Sequence, residues 1–322
     1  MKLENKRIVV VGDIILDEWI YGKSTRLSPE LPVPVVNIDD TAIKYSLGGA
    51  ANVAANVKSL GGEPLLVGVL GKEQKGFEVY RLLRERDMLQ LGILHDADRK
   101  TTVKTRLLAN GHQIARMDSE STDELNVDTH ASILETIQRY DAIDAFIISD
   151  YAKGVVSHDL IKCMKCVAAE RKIPIFIDPK TCNAGLYYGR GITAMTPNHD
   201  EAIGMLSEKY PDIESVGSTM LRTFDHECVL MTLGERGMAL FGYDQNAPSM
   251  IALPTSAKHV FDVAGAGDTV IAALALAYAS GNSMLESARI ANLAAGIVVG
   301  KAGTATVSRK ELEEIYNVTE SH

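Results

Sequence analysis

The sequence predicts an α/β fold in which helices flank a mainly parallel central sheet and a small β-sheet forms a lid. Six short runs of apolar and β-branched residues recur along the chain, and none of them alternates between apolar and polar positions. Strands without that alternation are buried on both faces, as in parallel sheets covered by helices. The six runs lie at residues 7–13, 64–71, 144–150, 173–179, 193–198 and 227–234.

Helical patterns occupy the intervals between these runs. Strands that alternate with helices are typical of βαβ units, which place consecutive strands parallel in one sheet. We therefore predict helices over residues 50–59, 76–86, 127–140 and 158–172.

Two segments interrupt this alternation and have the pattern of exposed antiparallel strands, at residues 32–49 and 101–118. The second contains Asn110-Gly111, the strongest short signal for a hairpin turn. We interpret these segments, with their surroundings at about 14–46 and 100–120, as a lid on a single domain spanning residues 1–322. Lids exclude water from a reaction.

The composition limits the possible partners. The 322 residues carry a net charge of −9, and the sequence contains no run of five or six basic residues that could bind along a phosphate backbone. We therefore expect neither nucleic acid nor a membrane surface as a partner. The longest apolar segment, Val270 to Ala279, is about half a membrane span, and the apolar run Ile8 to Val11 is too short for a signal peptide. We expect a cytoplasmic protein.

Four cysteines in this length do not form a disulfide framework. Cys163 and Cys166 have the CxxC spacing of redox or zinc sites, but they lie in the middle of a predicted helix. Cys182 and Cys228 form no second pair. We interpret the CxxC as a packing feature.

The turn Gly265-Ala266-Gly267-Asp268 directly precedes the apolar segment, which is typical of a buried helix. Glycines allow main-chain amides to approach a ligand, and the start of a helix directs unpaired N–H groups and a positive dipole end at the same point. This combination is suited to binding phosphate.

Asp268 has two interpretations. An aspartate at a helix start commonly caps the helix. A site that only binds phosphate gains nothing from a carboxylate, whereas a phosphoryl-transfer site needs a base for the hydroxyl proton. On the second interpretation Asp268 is that base.

Two common nucleotide motifs are excluded. Gly22-Lys23-Ser24 has Asp17 where a Walker A motif requires its first glycine. The dinucleotide fingerprint fails because Val270 follows where its third glycine belongs and no acidic residue ends a strand about 20 residues later.

The stretches DVAGAGDTVIAAL (262–274) and LGGAANVAANVKSLGG (47–62) resemble the two signatures of the ribokinase-like (PfkB) carbohydrate kinases, in the same order. The resemblance implies a ribokinase-like fold, ATP and Mg²⁺ as cofactors, and a sugar substrate. It also implies a homodimer formed through the lid strands.

Further segments extend the resemblance over nearly the whole chain: VVGDIILDEWIYG, RLSPELPVPVV, SDYAKG, IDPK, TPNHDE and VVGKAGTATV. They are similar to the branch of the family that phosphorylates the anomeric hydroxyl of D-glycero-D-manno-heptose 7-phosphate for ADP-heptose and lipopolysaccharide core synthesis. Some members of that branch carry a nucleotidyltransferase domain with an HxGH motif. The sequence has no HxGH, so we expect the stand-alone kinase form.

The resemblance implies roles for individual residues. Asp268 matches the catalytic base, and Gly265, Ala266 and Gly267 match the loop whose amides stabilise the transferred phosphate. The implied sugar ligands are Asp13, Gly48, Gly49 and Asn52. The implied nucleotide ligands are Asn198, Thr232, Gly234, Gly237, Gly265, Gly267 and Asn292, and Asn198 and Glu201 match the motif that helps to hold Mg²⁺.

The phosphate that the substrate already carries needs cations. Arg106 and Arg116 lie on the predicted lid hairpin with Lys104, and Lys180 follows a predicted strand. We predict Arg106, Arg116 and Lys180 as its ligands. The alternative for the hairpin residues is that they form a solvated strand face.

Ala264 departs from the family pattern, in which threonine is common at this position. We expect this difference to change the rate of the reaction without abolishing activity.

Two other functions stay open from the sequence. One is a kinase for another ribokinase-type acceptor, such as a different sugar or a nucleoside. The other is a sugar-phosphate-binding protein that has kept the fold without turnover.

Overall fold

The computed structural model describes residues 1–206, 210–245, 247–257 and 259–319, with residues 39–42 described for the backbone only. The central sheet of this part of the chain has nine strands in the order β13-β12-β11-β10-β9-β8-β1-β4-β5. All neighbouring pairs from β5 to β11 are parallel, and β12 and β13 add an antiparallel edge. The strands are β1 (Arg7–Gly12), β4 (Glu63–Leu70), β5 (Leu89–His95), β8 (Ala145–Ser149), β9 (Ile175–Asp178), β10 (Ala194–Met195), β11 (Cys228–Thr232), β12 (Met238–Asp244) and β13 (Ala247–Leu253).

Helices cover both faces of this sheet, as the non-alternating strands predict. Ile8 and Val10 of β1 pack towards one face, and Val9 and Val11 pack towards the other. The first face is covered by α1 (Ala50–Ser59), α2 (Gln74–Arg84), α7 (Ala266–Ala279), α8 (Met284–Val298) and α9 (Arg309–Thr319). The second face is covered by α3 (Val127–Arg139), α4 (His158–Arg171), α5 (His199–Leu206) and α6 (Ile213–Phe224).

The buried helix predicted after the Gly-rich turn is α7. Every residue from Asp268 to Ala277 is buried, because α7 lies between the sheet, α1 and α8. The four predicted helices are confirmed, with ends that differ by no more than two residues from those expected.

A second sheet has the order β3-β2-β6-β7 and is formed by β2 (Ile14–Leu27), β3 (Pro34–Gly49), β6 (Thr102–Ala109) and β7 (His112–Ser119). The predicted hairpin joins β6 and β7, and Asn110 and Gly111 both have positive φ, at 52° and 84°. The pairing of β2 with β6 is parallel, which the sequence pattern did not predict. This parallel pair joins two segments that are far apart in the chain.

The four cysteines are free thiols. Cys163 and Cys166 lie in α4, at residues where the helix borders α3. Within the described residues, no helix is both long enough and apolar enough to span a bilayer.

Candidate functional site

Asp268 lies in the first turn of α7, and only 3% of the residue is exposed. One carboxylate oxygen accepts a hydrogen bond from Nδ2 of Asn52 at 2.7 Å, and the other accepts one from the phenol of Tyr151 at 2.8 Å. Burial raises the pKa of Asp268 to about 6; the two hydrogen bonds and Lys104 oppose the rise, and the charge of Asp17 adds to it. A carboxyl group with such a pKa can accept a proton near neutral pH.

Main-chain amides lie beside this carboxylate. Gly265 is the N-cap residue of α7 and has a φ of 78°, in the left-handed region. The N–H of Ala266 donates to the carbonyl of Val263 at 3.2 Å. The amides of Gly267 and Asp268 belong to the first turn, where a helix has no internal acceptor and its dipole is positive. The amides of Gly267 and Asp268 are therefore the ones available to the anion predicted for this turn, while the amide of Ala266 already has an acceptor.

A buried chain of polar groups supports Asp268 from α1. Nδ2 of Asn56 donates to the carbonyl of Asn52 at 3.0 Å, and Oγ1 of Thr269 donates to Oδ1 of Asn56 at 3.0 Å. Gly265 approaches this chain so closely that a Cβ there would lie 2.7 Å from Nδ2 of Asn52. Asn52, which the sequence predicts as a sugar ligand, thus lies against the carboxylate of Asp268.

Asp17 of β2 is an acidic residue of this site that the sequence analysis did not select. It is buried and forms an ion pair with Nη1 of Arg106 at 2.5 Å. Oδ2 of Asp17 lies so close to Gly48 that a Cβ at this position would have to displace the carboxylate. Gly49 follows as the N-cap residue of α1. Gly48 and Gly49 therefore lie between Asp17 and the helix that carries Asn52.

Basic side chains share one face of the small sheet with Asp17. The register places Asp17 beside Lys104 and Arg106 opposite Arg116, and alternate residues of a strand point to the same face. Arg116 forms an ion pair with Asp118 at 3.0 Å, and 54% of its side chain is exposed. Arg106 and Arg116 are thus brought together, as the sequence predicts.

Asp13, predicted to accept sugar hydroxyls, faces the loop after β8. Its carboxylate accepts hydrogen bonds from the main-chain N–H groups of Tyr151, Lys153 and Val155 at 2.8, 3.0 and 3.2 Å. Burial raises the pKa of Asp13 to about 6, and the charge of Asp150 contributes to the rise. The structure therefore places Asp13 as a support for the loop that carries Tyr151.

A cleft of about 760 Å³ opens beside the Gly-rich turn. One part of its wall is apolar and comes from α7, α8 and the loop before α7. The other part is polar and comes from the carboxyl ends of β9, β10 and β11, where open parallel sheets bind ligands. The apolar part is formed by Val260, Val263, Val270, Ala295 and Val299.

Six of the seven residues predicted for nucleotide binding line this cleft, and Gly265 does not. Thr232 and Asn198 pair as an isolated parallel bridge, which holds two of the loops side by side. Nδ2 of Asn292 donates to the carbonyl of Pro254 at 2.7 Å and attaches α8 to the segment after β13. Those that line the cleft are Asn198, Thr232, Gly234, Gly237, Gly267 and Asn292.

Asn198 and Glu201 begin α5 with reciprocal hydrogen bonds. The N–H of Glu201 donates to Oδ1 of Asn198 at 2.9 Å, and the N–H of Asn198 donates to Oε2 of Glu201 at 3.0 Å. Burial, with the charges of Asp268 and Glu201, holds the pKa of Asp178 well above its usual range. Among the residues that the structure describes, no three His, Cys, Asp or Glu side chains form a metal-binding group. A cation here would need water or phosphate as additional ligands.

Lys180 and Arg106 lie in different places, although the sequence predicts that they bind one phosphate. Nζ of Lys180 lies 3.5 Å from Oε1 of Glu201 and lines the cleft. Arg106 pairs with Asp17 on the small sheet. The β9 loop carries Lys180 to the carboxyl end of the central sheet, so the prediction that grouped it with the hairpin arginines is not supported by its position.

The sequence analysis also missed Tyr151 and Asp178. Both lie in segments quoted for the family resemblance, directly after or at the carboxyl ends of β8 and β9. That position is the signal that could have found them, because ligands of open α/β sheets bind there.

Comparison with known proteins adds to this geometry. A family model described as pfkB family carbohydrate kinase matches residues 5–311. A protein named Bifunctional protein HldE from Geobacter sulfurreducens is 39% identical over 308 residues, which cover 94% of this chain and 61% of that protein. A protein with the same name from Sulfurimonas denitrificans is 40% identical over 322 residues, which cover 98% of this chain and 65% of that protein. The chain thus spans less than two thirds of the length of these relatives.

Solved structures show the same fold. Arabidopsis thaliana ribokinase in complex with ribose and ATP superimposes with a TM-score of 0.74 at 19% identity, over 96% of this chain and 98% of that one. Phosphofructokinase-2 from Escherichia coli in complex with substrates and products gives a TM-score of 0.77 at 18% identity, over 98% and 99%. The fold is therefore ribokinase-like.

The buried carboxylate of Asp268 is expected to reduce stability above pH 6. Its pKa is about 6 in the folded chain against an ordinary value of 3.8, so the folded state binds the extra proton between these values and the free energy of unfolding falls as pH rises through this range. Asp268→Asn should raise the free energy of unfolding at pH 8 by roughly 2 kcal/mol, with little effect at pH 4. Urea denaturation at both pH values measures this.

The matched control is Asp159→Asn, because 74% of the Asp159 side chain is exposed. This change should alter the free energy of unfolding by less than about 0.5 kcal/mol at either pH. An equal loss of stability at pH 4 and pH 8 in Asp268→Asn would contradict the assignment of a buried, charged carboxylate.

Proposed function

This chain belongs to the pfkB family of carbohydrate kinases, and from that premise we propose that it transfers the γ-phosphoryl group of ATP to the anomeric hydroxyl of D-glycero-D-manno-heptose 7-phosphate. The product is the 1,7-bisphosphate, a precursor for ADP-heptose and the lipopolysaccharide core. The observation that carries the proposal is the buried carboxylate of Asp268 beside the amides of Gly267 and Asp268 at the start of α7.

The proposed reaction is an in-line displacement. The anomeric oxygen attacks the γ-phosphorus while its proton passes to Asp268, and the bond between the γ-phosphorus and the β,γ-bridging oxygen breaks to release ADP. Each oxygen of Asp268 accepts one hydrogen bond in the structure and has a further lone pair for the substrate hydroxyl. The amides of Gly267 and Asp268 stabilise the negative charge on the transferred group.

The nucleotide is proposed to occupy the 760 Å³ cleft. Its apolar wall, formed by side chains such as Val263 and Val299, suits a base, and the loops at Thr232 and Gly234 are close enough to the Gly-rich turn to hold the phosphates. Lys180 lines the same cleft, so we now assign it to the nucleotide phosphates.

Magnesium fits the acidic side of this cleft. Asn198 and Glu201 offer oxygen atoms, which are the ligands that Mg²⁺ prefers, and their engagement in the cap of α5 favours contact through water. The mutual repulsion of Asp178, Glu201 and Asp268, seen in the raised pKa of Asp178, would be relieved by a cation. When bound, Mg²⁺ would neutralise charge on the ATP phosphates.

The sugar is proposed to lie between the small sheet and Asp268. Asp17 and Asn52 border this space and can hydrogen-bond hydroxyl groups. Arg106 and Arg116, with Lys104 on the same face, provide the positive charge that a sugar phosphate needs in a chain of net charge −9.

The homodimer implied by the family resemblance is supported by the other face of the small sheet. Ile20, Ile43, Leu107 and Met117 lie on the face opposite to Asp17 and Arg106, and Met117 is 51% exposed. A second copy of the chain could cover this apolar face and the free edges of β3 and β7.

Activity should depend on Asp268 and on the phosphorylated sugar. Wild-type protein should release ADP with heptose 7-phosphate and Mg²⁺, and kcat/KM should rise with pH to a plateau above about 6 as Asp268 ionises. Asp268→Asn should lower the rate by about 10²- to 10⁴-fold. A coupled ADP assay over a panel of sugars, sugar phosphates and nucleosides measures both effects.

Asp159→Asn serves as the control and should keep the wild-type rate, since this carboxylate lies on α4 away from the cleft. Full activity in Asp268→Asn would contradict the proposed base. Faster turnover of a different acceptor would support the kinase reaction and contradict heptose 7-phosphate as the substrate.

Arg116 should contribute to binding of the sugar phosphate and not of ATP. Arg116→Met should raise KM for heptose 7-phosphate by about 10-fold or more and leave KM for ATP unchanged, because a charge-assisted hydrogen bond to phosphate is lost. Arg190→Met is the control, since Arg190 is 89% exposed in its side chain and pairs with Asp225 away from the cleft. If KM for heptose 7-phosphate is the same in Arg116→Met and Arg190→Met, Arg116 does not bind the sugar phosphate.

Light scattering should give wild-type protein a mass of about twice the 34.9 kDa chain. Met117→Arg should shift the mass to that of one chain, because it places a charge in the apolar face of the small sheet. Val127→Arg is the control, because Val127 is 83% exposed on α3. A single-chain mass for the wild type would contradict the dimer.

A further inference from the structure

Tyr151 contacts the proposed base from an element other than α7 and α1. Its phenol is partly buried and donates a hydrogen bond to Oδ1 of Asp268 at 2.8 Å, while Asn52 donates to Oδ2 at 2.7 Å. Two donors on two different oxygens fix both the rotation and the plane of a carboxylate. Tyr151 also lines the cleft, so the hydrogen bond lies at the boundary between the protein interior and the reacting groups.

The loop that carries Tyr151 is held in one conformation. The carboxylate of Asp13 accepts the N–H groups of Tyr151 and Lys153, and Oδ1 of Asp150 accepts the N–H of Ala152 at 2.7 Å. Ala152 has a φ of 55°, a left-handed conformation that a residue with a side chain adopts at a cost. Such a conformation persists where the surrounding bonds impose it, and here it directs the phenol at Asp268.

The charges around this pair come from four elements. Asp17 of β2 and Lys104 of β6 face it from the small sheet, with Nζ of Lys104 lying 5.0 Å from the centre of the Tyr151 ring. Asp178 faces it from the end of β9, and Asp268 itself lies on α7. Burial, together with these carboxylates, holds the pKa of Tyr151 well above its usual range. The phenol therefore stays protonated and can donate its hydrogen to Asp268.

From this geometry we infer that Tyr151 is a positioning residue for Asp268, which orients the carboxylate towards the acceptor hydroxyl and favours its ionised form. The inference rests on the proposed function in taking Asp268 as the base. A donor to the charged form of a carboxyl lowers its pKa, so loss of the phenol hydroxyl raises the pKa of Asp268 and frees its rotation. Asn52 remains as the second donor and keeps the carboxylate in the site.

Tyr151→Phe tests the inference with little change in volume. Titration of protein labelled with [4-¹³C]aspartate, followed by ¹³C NMR and assigned with Asp268→Asn, reads the ionisation of Asp268 directly. We expect its midpoint in Tyr151→Phe to move to higher pH by about one pH unit. The acidic limb of kcat/KM should move by the same amount, and kcat should fall by about 10-fold while KM for ATP stays constant.

Tyr316→Phe is the matched control. Its phenol donates to Oε1 of Glu286 at 2.6 Å, so the variant removes the same type of bond between α9 and α8. The midpoint of Asp268 should stay at its wild-type value in this variant. If Tyr151→Phe shows wild-type circular dichroism and an unchanged or lower midpoint, the inference is overturned.

Two further outcomes are separated by this design. If wild-type protein phosphorylates none of the sugars tested, the proposed function fails, while the ¹³C titration still decides whether Tyr151 controls Asp268. If Tyr151→Phe does not fold, wild-type protein with 3-fluorotyrosine replaces it. Its more acidic phenols are stronger donors and should lower the midpoint of Asp268, and an unchanged midpoint overturns the inference.

Discussion

The structure depends on keeping one carboxylate buried at the start of a buried helix. Asp268 loses hydration there, and the loss is offset by donors from two separate elements, Asn52 on α1 and Tyr151 after β8. The same burial that raises its pKa to about 6 gives the group a proton affinity suited to a base near neutral pH. Stability is therefore reduced at the point where the chemistry is proposed.

The rest of the fold brings these donors together. Parallel strands place their carboxyl ends at one edge, so the loops after β8, β9, β10 and β11 meet where α7 begins. The packing of α7 between the sheet, α1 and α8 fixes the direction of its first turn. The small sheet adds Asp17 and the basic side chains from the opposite side. The nucleotide half and the sugar half of the proposed site thus meet at Asp268.

Patterns of neighbouring residues predicted the parts of the fold that are determined by residues adjacent in the chain. Residues 8–12 of β1 and residues 268–277 of α7 are buried, so their apolar composition alone indicates a strand and a helix there. Asp268 was predictable because glycines and a helix start adjoin it in the chain. The positions of Asp17 and Lys180 were not, because they follow from the parallel pairing of β2 with β6 and from the ion pair with Glu201. Both contacts join residues whose proximity no local pattern encodes.

The central claim is that Asp268 and the amides beside it face the reacting groups. A crystal structure with a non-hydrolysable ATP analogue, Mg²⁺ and heptose 7-phosphate tests it most directly. The account predicts the anomeric oxygen within about 3.2 Å of an Asp268 oxygen and the γ-phosphate against the amides of Gly267 and Asp268. A sugar bound with its anomeric carbon turned away from Asp268, or a γ-phosphate held elsewhere in the cleft, would contradict the account.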